Sequence, residues 1–161
     1  MKIRPVHAAD AARISEIYNH YIHNSVFTFE EEFVSVGQMQ QRIERVSPNY
    51  PWLKLEQDHV IQGYAYADAW KPRGAYRHTV ETTIYLHPDA AGQGFGKPLY
   101  QALADELRSR EFHCAMASIA LPNAPSIKVH EAIGFIKIGH AHDIGRKFDD
   151  WVDVGYWQLL L

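Results

Sequence analysis

Apolar residues alternate between helical and strand spacing along the chain. Ile3–Val6 reads as a short strand. From Asp10 the positions Ile14, Ile17, Tyr18, Tyr21 and Ile22 recur with the period of a half-buried helix. Val26–Phe33 is aromatic but aperiodic and reads as a loop. Ser35 and Gln38 then form a capping box ahead of Met39, Ile43 and Val46, which predicts a second helix. Ser47-Pro48-Asn49-Tyr50-Pro51 ends it.

Trp52–Glu56 and Val60–Trp70 read as two strands joined near Gln57-Asp58-His59, and Tyr76–Leu86 as a third, rich in β-branched and aromatic residues. A glycine-rich loop follows, then a helix carrying Leu99, Leu103 and Leu107. His113–Leu121 is the next strand. Pro122–Ser126 turns the chain into a short helix ending at Gly134, and Phe135–Ile138 and Trp151–Leu161 are the last strands. Early hairpins followed by strands that alternate with helices predict a mixed α/β sheet.

The length, 161 residues, fits one domain over 1–161. With 47% hydrophobic and 22% charged residues, the chain has enough apolar surface to fold on a core. Its formal net charge of −3 argues against a general nucleic-acid binder, which needs a basic excess. One cysteine, Cys114, excludes an internal disulfide and a multi-cysteine zinc site. The first residues lack the long apolar core of a signal peptide, and no stretch approaches a membrane span. These features predict a soluble, cytoplasmic protein with no membrane or nucleic-acid partner.

The sharpest local signal is Ala91-Gly92-Gln93-Gly94-Phe95-Gly96-Lys97, placed after a strand and before a helix. Glycines let a backbone approach a ligand closely, and the free N–H groups of a helix start favour phosphate. Ala91 stands where a Walker loop needs its first glycine, and Pro98 where it needs Ser or Thr. Lys97 replaces the third glycine of a dinucleotide fingerprint. A cradle for the pyrophosphate of coenzyme A remains, beside the plainer possibility of a flexible turn.

Ala91–Gly96 resembles the acetyl-CoA motif of the GCN5-related N-acetyltransferases, Arg/Gln-x-x-Gly-x-Gly/Ala. Gly94 and Gly96 match, and Ala91 replaces the leading Arg/Gln. Further segments are similar to the phosphinothricin and methionine sulfoximine acetyltransferase branch of that family. They are Tyr50-Pro51-Trp52-Leu53, Gly63-Tyr64-Ala65-Tyr66-Ala67, Thr79-Val80-Glu81, Leu121-Pro122-Asn123, His130-Glu131-Ala132-Ile133-Gly134-Phe135 and Trp151-Val152-Asp153-Val154. Their order along nearly the whole chain is far more specific than the loop. The resemblance implies one twisted, mostly antiparallel central sheet flanked by helices. It also implies acetyl-CoA as co-substrate, a small glutamate-like amino acid acetylated on its α-amine, and a homodimer.

Acetyl transfer to an amine needs a base, a polarised thioester carbonyl, a proton for the leaving thiolate and alignment of the reactants. Strand alternation puts Glu81 and Thr83 on one face, opposite Val80 and Thr82. A carboxylate in such a strand is costly unless used or paired. The resemblance makes Glu81 the candidate base, directly or through water. It also makes Ile84, Tyr85 and Leu86 the strand that pairs with the pantetheine arm and polarises the thioester. It assigns Gly92, Gln93, Gly94, Phe95, Gly96, Lys97 and Asn123 to the cofactor, although an Asn between strand and helix is equally placed to cap. His130 takes the position of the wider family's thiolate-protonating Tyr, as leaving-group acid or relay, with a packed helix histidine as the plainer alternative.

An amino-acid acceptor carries a carboxylate, which an Arg binds with two parallel bonds. Lys71, Arg73 and Arg77 cluster before the Glu81 strand, and the family's substrate loop corresponds to Arg73, Gly74 and Ala75. Phe27, Phe29 and Glu30 resemble the opposite pocket wall. Ten histidines invite a metal reading, with His140-Ala141-His142-Asp143 as the best cluster. Two His and one Asp in a row are thin, and Gly134 denies His130-Glu131 the second His of a zinc-protease motif, so no metal site is expected. The rivals to the amino-acid acetyltransferase are an enzyme for a polyamine or peptide N-terminus, and a non-catalytic acyl-CoA sensor.

Overall fold

The computed structural model describes residues 1–161. Strand β1 (Lys2–Pro5) leads through a single 3₁₀ turn into helix α1 (Ala11–Asn24). Its apolar stripe buries Ile14, Ile17 and Ile22. Helix α2 (Val36–Val46) starts at the predicted capping box. Ser35 Oγ accepts from the Gln38 N–H at 3.2 Å, and Gln38 Oε1 accepts from the Ser35 N–H at 2.8 Å. The hairpin of β2 (Trp52–Gln57) and β3 (Val60–Ala69) turns at Asp58-His59, both with positive φ. That is the backbone hand a two-residue hairpin loop requires.

Strand β4 (Thr79–Leu86), helix α3 (Gly96–Ser109), strand β5 (Cys114–Leu121) and helix α4 (Ala124–Glu131) form the central βαβα run. The long ribbon of β6 (Ile136–Lys147) and β7 (Asp150–Leu160) closes the chain. The sheet order is β1-β2-β3-β4-β5-β7-β6, and every neighbouring pair is antiparallel except β4–β5. This is the mixed, mostly antiparallel sheet expected from the sequence.

Each face of the sheet has its own core. Leu99, Leu103 and Leu107 of α3 pack with Ala65, Val80, Ala117 and Trp157. Ile14, Ile17, Met39 and Ile43 of α1 and α2 cover Trp52, Ile61 and Tyr64 on the other side. Leu103 is fully buried, so Leu103→Ala should cost about 2–5 kcal/mol of stability.

Two strand boundaries differ from the sequence reading by more than one residue, the start of β4 and the end of β6, and several others by one. Gly74–Tyr76 forms a 3₁₀ turn, so β4 begins at Thr79 rather than Tyr76. The chain after Phe135 stays extended to Lys147, not Ile138, because it pairs with β7 along that length; as an edge strand exposed over most of its length, it carries no apolar alternation to mark it. The last strand is Asp150–Leu160, a shift of one residue at each end.

Candidate active site

The parallel pairing of β4 with β5 is short. It covers Thr79 with Cys114, Val80 with Ala115 and Glu81 with Met116, then stops, although β4 continues to Leu86 and β5 to Leu121. Beyond Glu81 the strands part, and backbone groups on their facing edges lack a ladder partner. An extended ligand with amide groups can take those bonds. The wedge opens into a cleft of about 490 Å³ bounded by β4, β5, the glycine loop and α4.

Helix α3 starts at the mouth of this cleft with no side-chain cap. Its first N–H groups are therefore free, and the helix dipole adds positive potential there. Gly92 and Gly94 have φ of +78° and +82°, a hand that side-chain-bearing residues adopt only with strain. A Cβ on Gly94 would meet no protein atom within 4 Å, so that position is open to a ligand. At Gly96 a Cβ would lie 2.9 Å from Val129 Cγ2, so Gly96 serves the α3–α4 contact. Uncapped helix, turned glycines and unpaired strand edges together fit a pyrophosphate with an extended amide arm.

Of the residues assigned to the cofactor, Ile84, Tyr85, Leu86, Gly92, Gly94, Gly96, Lys97 and Asn123 line the cleft. Gln93 and Phe95 do not. The Gln93 side chain turns back to donate to the Asp89 carbonyl at 2.7 Å, and Phe95 packs on the core. Asn123 does two things at once. Its Oδ1 caps α4 by accepting from the Ser126 N–H at 3.2 Å, while the residue itself borders the cleft.

Glu81 lies at the apex of the wedge, half-buried, and its Oε1 accepts from Ser118 Oγ at 2.7 Å. Ser118 lines the cleft and connects Glu81 to it. His130 borders the cleft from α4 and is only 3% exposed. Its Nδ1 lies 2.7 Å from the Ser126 carbonyl, which accepts only, so Nδ1 carries the proton and Nε2 a lone pair. Burial against Tyr100 and Phe135 pushes the imidazole down to about 4, with the Ser126 bond opposing. His130 is therefore neutral near pH 7, which suits a proton acceptor or relay better than a standing acid.

The expected substrate residues separate. Phe27 lines the cleft, and Tyr85 Oη donates to its carbonyl at 3.5 Å. Glu30 is engaged by Arg42 through two bonds of 2.8 and 2.5 Å and by the Tyr18 hydroxyl. Those bonds, Arg42 first, hold its carboxyl below the usual range against the opposing effect of burial. Glu30 thus fixes the aromatic loop rather than offering a free charge to an acceptor. Arg73, Gly74 and Ala75 are exposed on the turn entering β4 and lie outside the cleft of the single chain.

Sequence reasoning missed Ser118, Tyr21 and Lys147. Tyr21 lines the cleft and donates to the Leu86 carbonyl at 2.6 Å. Buried Lys147 donates to the Thr28 carbonyl at 2.8 Å and anchors the aromatic loop. No local pattern marks either contact, since Tyr21 reads as helix core and Lys147 lies beyond the predicted end of β6.

A sheet split by a wedge, with an uncapped helix beside it, fits coenzyme A, in which a pyrophosphate carries an extended amide arm. The acetyltransferase (GNAT) domain model matches residues 3–155, and the chain belongs to that family. It is 40% identical to the phosphinothricin N-acetyltransferase of Streptomyces viridochromogenes over 98% of this chain and 86% of that protein. It is 35% identical to the L-methionine sulfoximine/L-methionine sulfone acetyltransferase of Salmonella typhimurium, over 100% of this chain and 95% of that one. An acetyltransferase from Salmonella typhimurium, solved with its cofactor acetyl-CoA, superposes with a TM-score of 0.97 at 34% identity, covering 100% of this chain and 94% of that one. The protein is an N-acetyltransferase with acetyl-CoA as co-substrate.

Proposed function

We propose that the protein acetylates the α-amine of a small glutamate-like amino acid, such as phosphinothricin or methionine sulfoximine. The pair that carries this reading is Glu81 and Ser118, at the apex of the cleft where the strands part. Acetyl-CoA, when bound, supplies the acetyl thioester. The backbone N–H groups of Ile84 and Leu86, which alternation turns away from β3 toward the open edge, polarise its carbonyl oxygen. Glu81, directly or through a water, takes the proton from the incoming ammonium, and the Ser118 hydroxyl holds the carboxylate in place. His130 Nε2 accepts a proton along the same route and passes it toward the thiolate.

Transfer is direct, without an acyl-enzyme. The one cysteine, Cys114, is buried at the start of β5, outside the cleft, and receives a bond from Gln158. Arg73 binds the acceptor carboxylate, and Phe27 forms the apolar wall. The protein acts as a homodimer in the cytoplasm. In support, Ile144, Phe148 and Trp151 are exposed at the far end of the β6–β7 ribbon. No helix is long and apolar enough to cross a membrane.

A CoA-release assay over phosphinothricin, methionine sulfoximine, glutamate, spermidine and an N-terminal peptide tests the acceptor. Turnover of the first two above the rest is expected. Turnover confined to spermidine or the peptide overturns the acceptor. No turnover with any amine, despite acetyl-CoA binding, favours the sensor.

A further inference from the structure

Outside the cleft, one cluster of metal-ligating side chains has no part in the chemistry above. His140 Nε2, His142 Nδ1 and an Asp153 carboxylate oxygen all lie within 4.8 Å of one another, on the ribbon of β6 and β7. The sequence offered Asp143 as the third ligand and looked too thin. The fold supplies Asp153 from the neighbouring strand, and Asp143 supplies its backbone N–H instead. We propose that His140, His142 and Asp153 form a binding site for one divalent transition-metal ion of the zinc class, stapling β6 to β7.

Two features give the cluster its shape. First, β6 changes register against β7 between Ala141 and Gly145, and Asp143 there has φ of +48°. This irregularity aims the Asp143 N–H at Asp153 Oδ1, 2.9 Å away, which fixes the carboxylate and leaves Oδ2 for the imidazoles. Second, both rings converge on that oxygen. His140 Nε2 lies 2.7 Å and His142 Nδ1 3.1 Å from Oδ2, with the rings stacked 4.4 Å apart. Two imidazoles and a carboxylate are a donor set that suits zinc, cobalt, nickel and copper better than magnesium or calcium. An ion bound there keeps water in its remaining positions, since the His142 side chain is 79% exposed.

Binding needs a lone pair on His140 Nε2 and on His142 Nδ1, so each ring must carry its N–H on the other nitrogen. His142 does so toward solvent. For His140 the obstacle is Lys137, whose Nζ sits 3.2 Å from Nδ1 and must donate to it. Lys137 is exposed and already lies 5.4 Å from the Trp157 ring, where it can rest when the ion enters. Lys137 therefore competes with the ion, and its removal should favour binding.

The test is calorimetric titration of the tag-free protein with Zn²⁺ in a non-chelating buffer, with Tm measured alongside. One saturable ion per chain and a rise in Tm are expected in the wild type, and ligation stabilises the fold by mass action. His140→Ala and His142→Ala are exposed changes that keep the fold, and each should weaken binding at least about tenfold. Lys137→Met should tighten it severalfold. Absence of stoichiometric binding, or wild-type affinity in both histidine variants, overturns the site. Unchanged or weaker affinity in Lys137→Met overturns ligation through His140 Nε2.

Discussion

Ser118 Oγ donates to Glu81 Oε1 at 2.7 Å, linking the last paired residue of β4 to a residue two positions past its partner Met116 on β5. The hydroxyl therefore joins the strands where their backbones no longer do. It also orients the carboxylate at the apex of the cleft. Removing the carboxylate and removing its holder should differ in degree. Glu81→Gln should lower kcat by about 10²–10⁴-fold, the range of general acid–base help. Ser118→Ala, which leaves the base but frees its rotamer, should cost less. Acetyl-CoA affinity, measured by calorimetry, should stay near wild type in both. Near-full turnover in Glu81→Gln would make the pair a structural tie and move the base elsewhere.

His130 couples stability to pH. Its folded value lies near 4, below the ordinary value of 6.5, because burial disfavours the cation. The unfolded chain therefore takes up a proton as pH falls through about 6.5, while the folded chain does so only near 4. Stability is full above about 6.5 and is lost progressively as pH falls toward 4, by an amount on the order of 3 kcal/mol. His130→Phe should flatten that part of the profile, measured by urea denaturation from pH 7 to 4. It should also lower turnover less than Glu81→Gln, since solvent protonates a thiolate unaided. An equally steep slope in the variant would assign the loss to other groups.

Much of this fold is written locally, and the places that are not share a cause. The capping box of α2 and the leucine stripe of α3 depend on residues within a few positions, and both form as expected. The far half of β6 is exposed at a sheet edge and interrupted by a register shift, so no apolar period betrays it. The glycine loop was legible because an uncapped helix start leaves a mark in sequence. The tie from Ser118 to Glu81 was not, because it spans two strands joined by a helix. Glu30 was legible as an acidic residue in an aromatic loop, but Arg42, one helix away, decides what its charge does. The same holds for Asp153, whose two histidine partners lie across a ribbon.

Gly94 separates ligand binding from folding. A Cβ there touches nothing in the protein, but φ of +82° is unfavourable for any other residue. Gly94→Ala should cost about 1–2 kcal/mol in stability. It should weaken acetyl-CoA binding at least about tenfold, because the methyl intrudes where backbone and phosphate approach. Gly96→Ala should show the larger structural effect, since its Cβ presses Val129 at 2.9 Å. Chemical denaturation and calorimetry on both variants check this. Wild-type acetyl-CoA affinity in folded Gly94→Ala would place the pyrophosphate away from the loop.

Arg42 decides whether the aromatic loop keeps its shape. It holds Glu30 through two bonds, stacks 5.9 Å from the Tyr18 ring, and Tyr18 reaches both Glu30 and Thr28. Thr28 is pinned from the other side by Lys147, and Phe27 next to it lines the cleft. Arg42→Ala leaves every cleft residue unchanged but leaves the Glu30 charge without its cation. The loop should loosen and Phe27 lose its fixed place, raising the acceptor KM severalfold while the KM for acetyl-CoA stays near wild type. Arg42→Lys should recover only part of the loss, since an ammonium cannot form the paired bonds of a guanidinium. The pair is partly exposed, so stability should fall by no more than about 1 kcal/mol. Steady-state kinetics with each substrate varied in turn measures the split. An equal rise in both KM values would mean that the pair supports the whole cleft rather than the acceptor side alone.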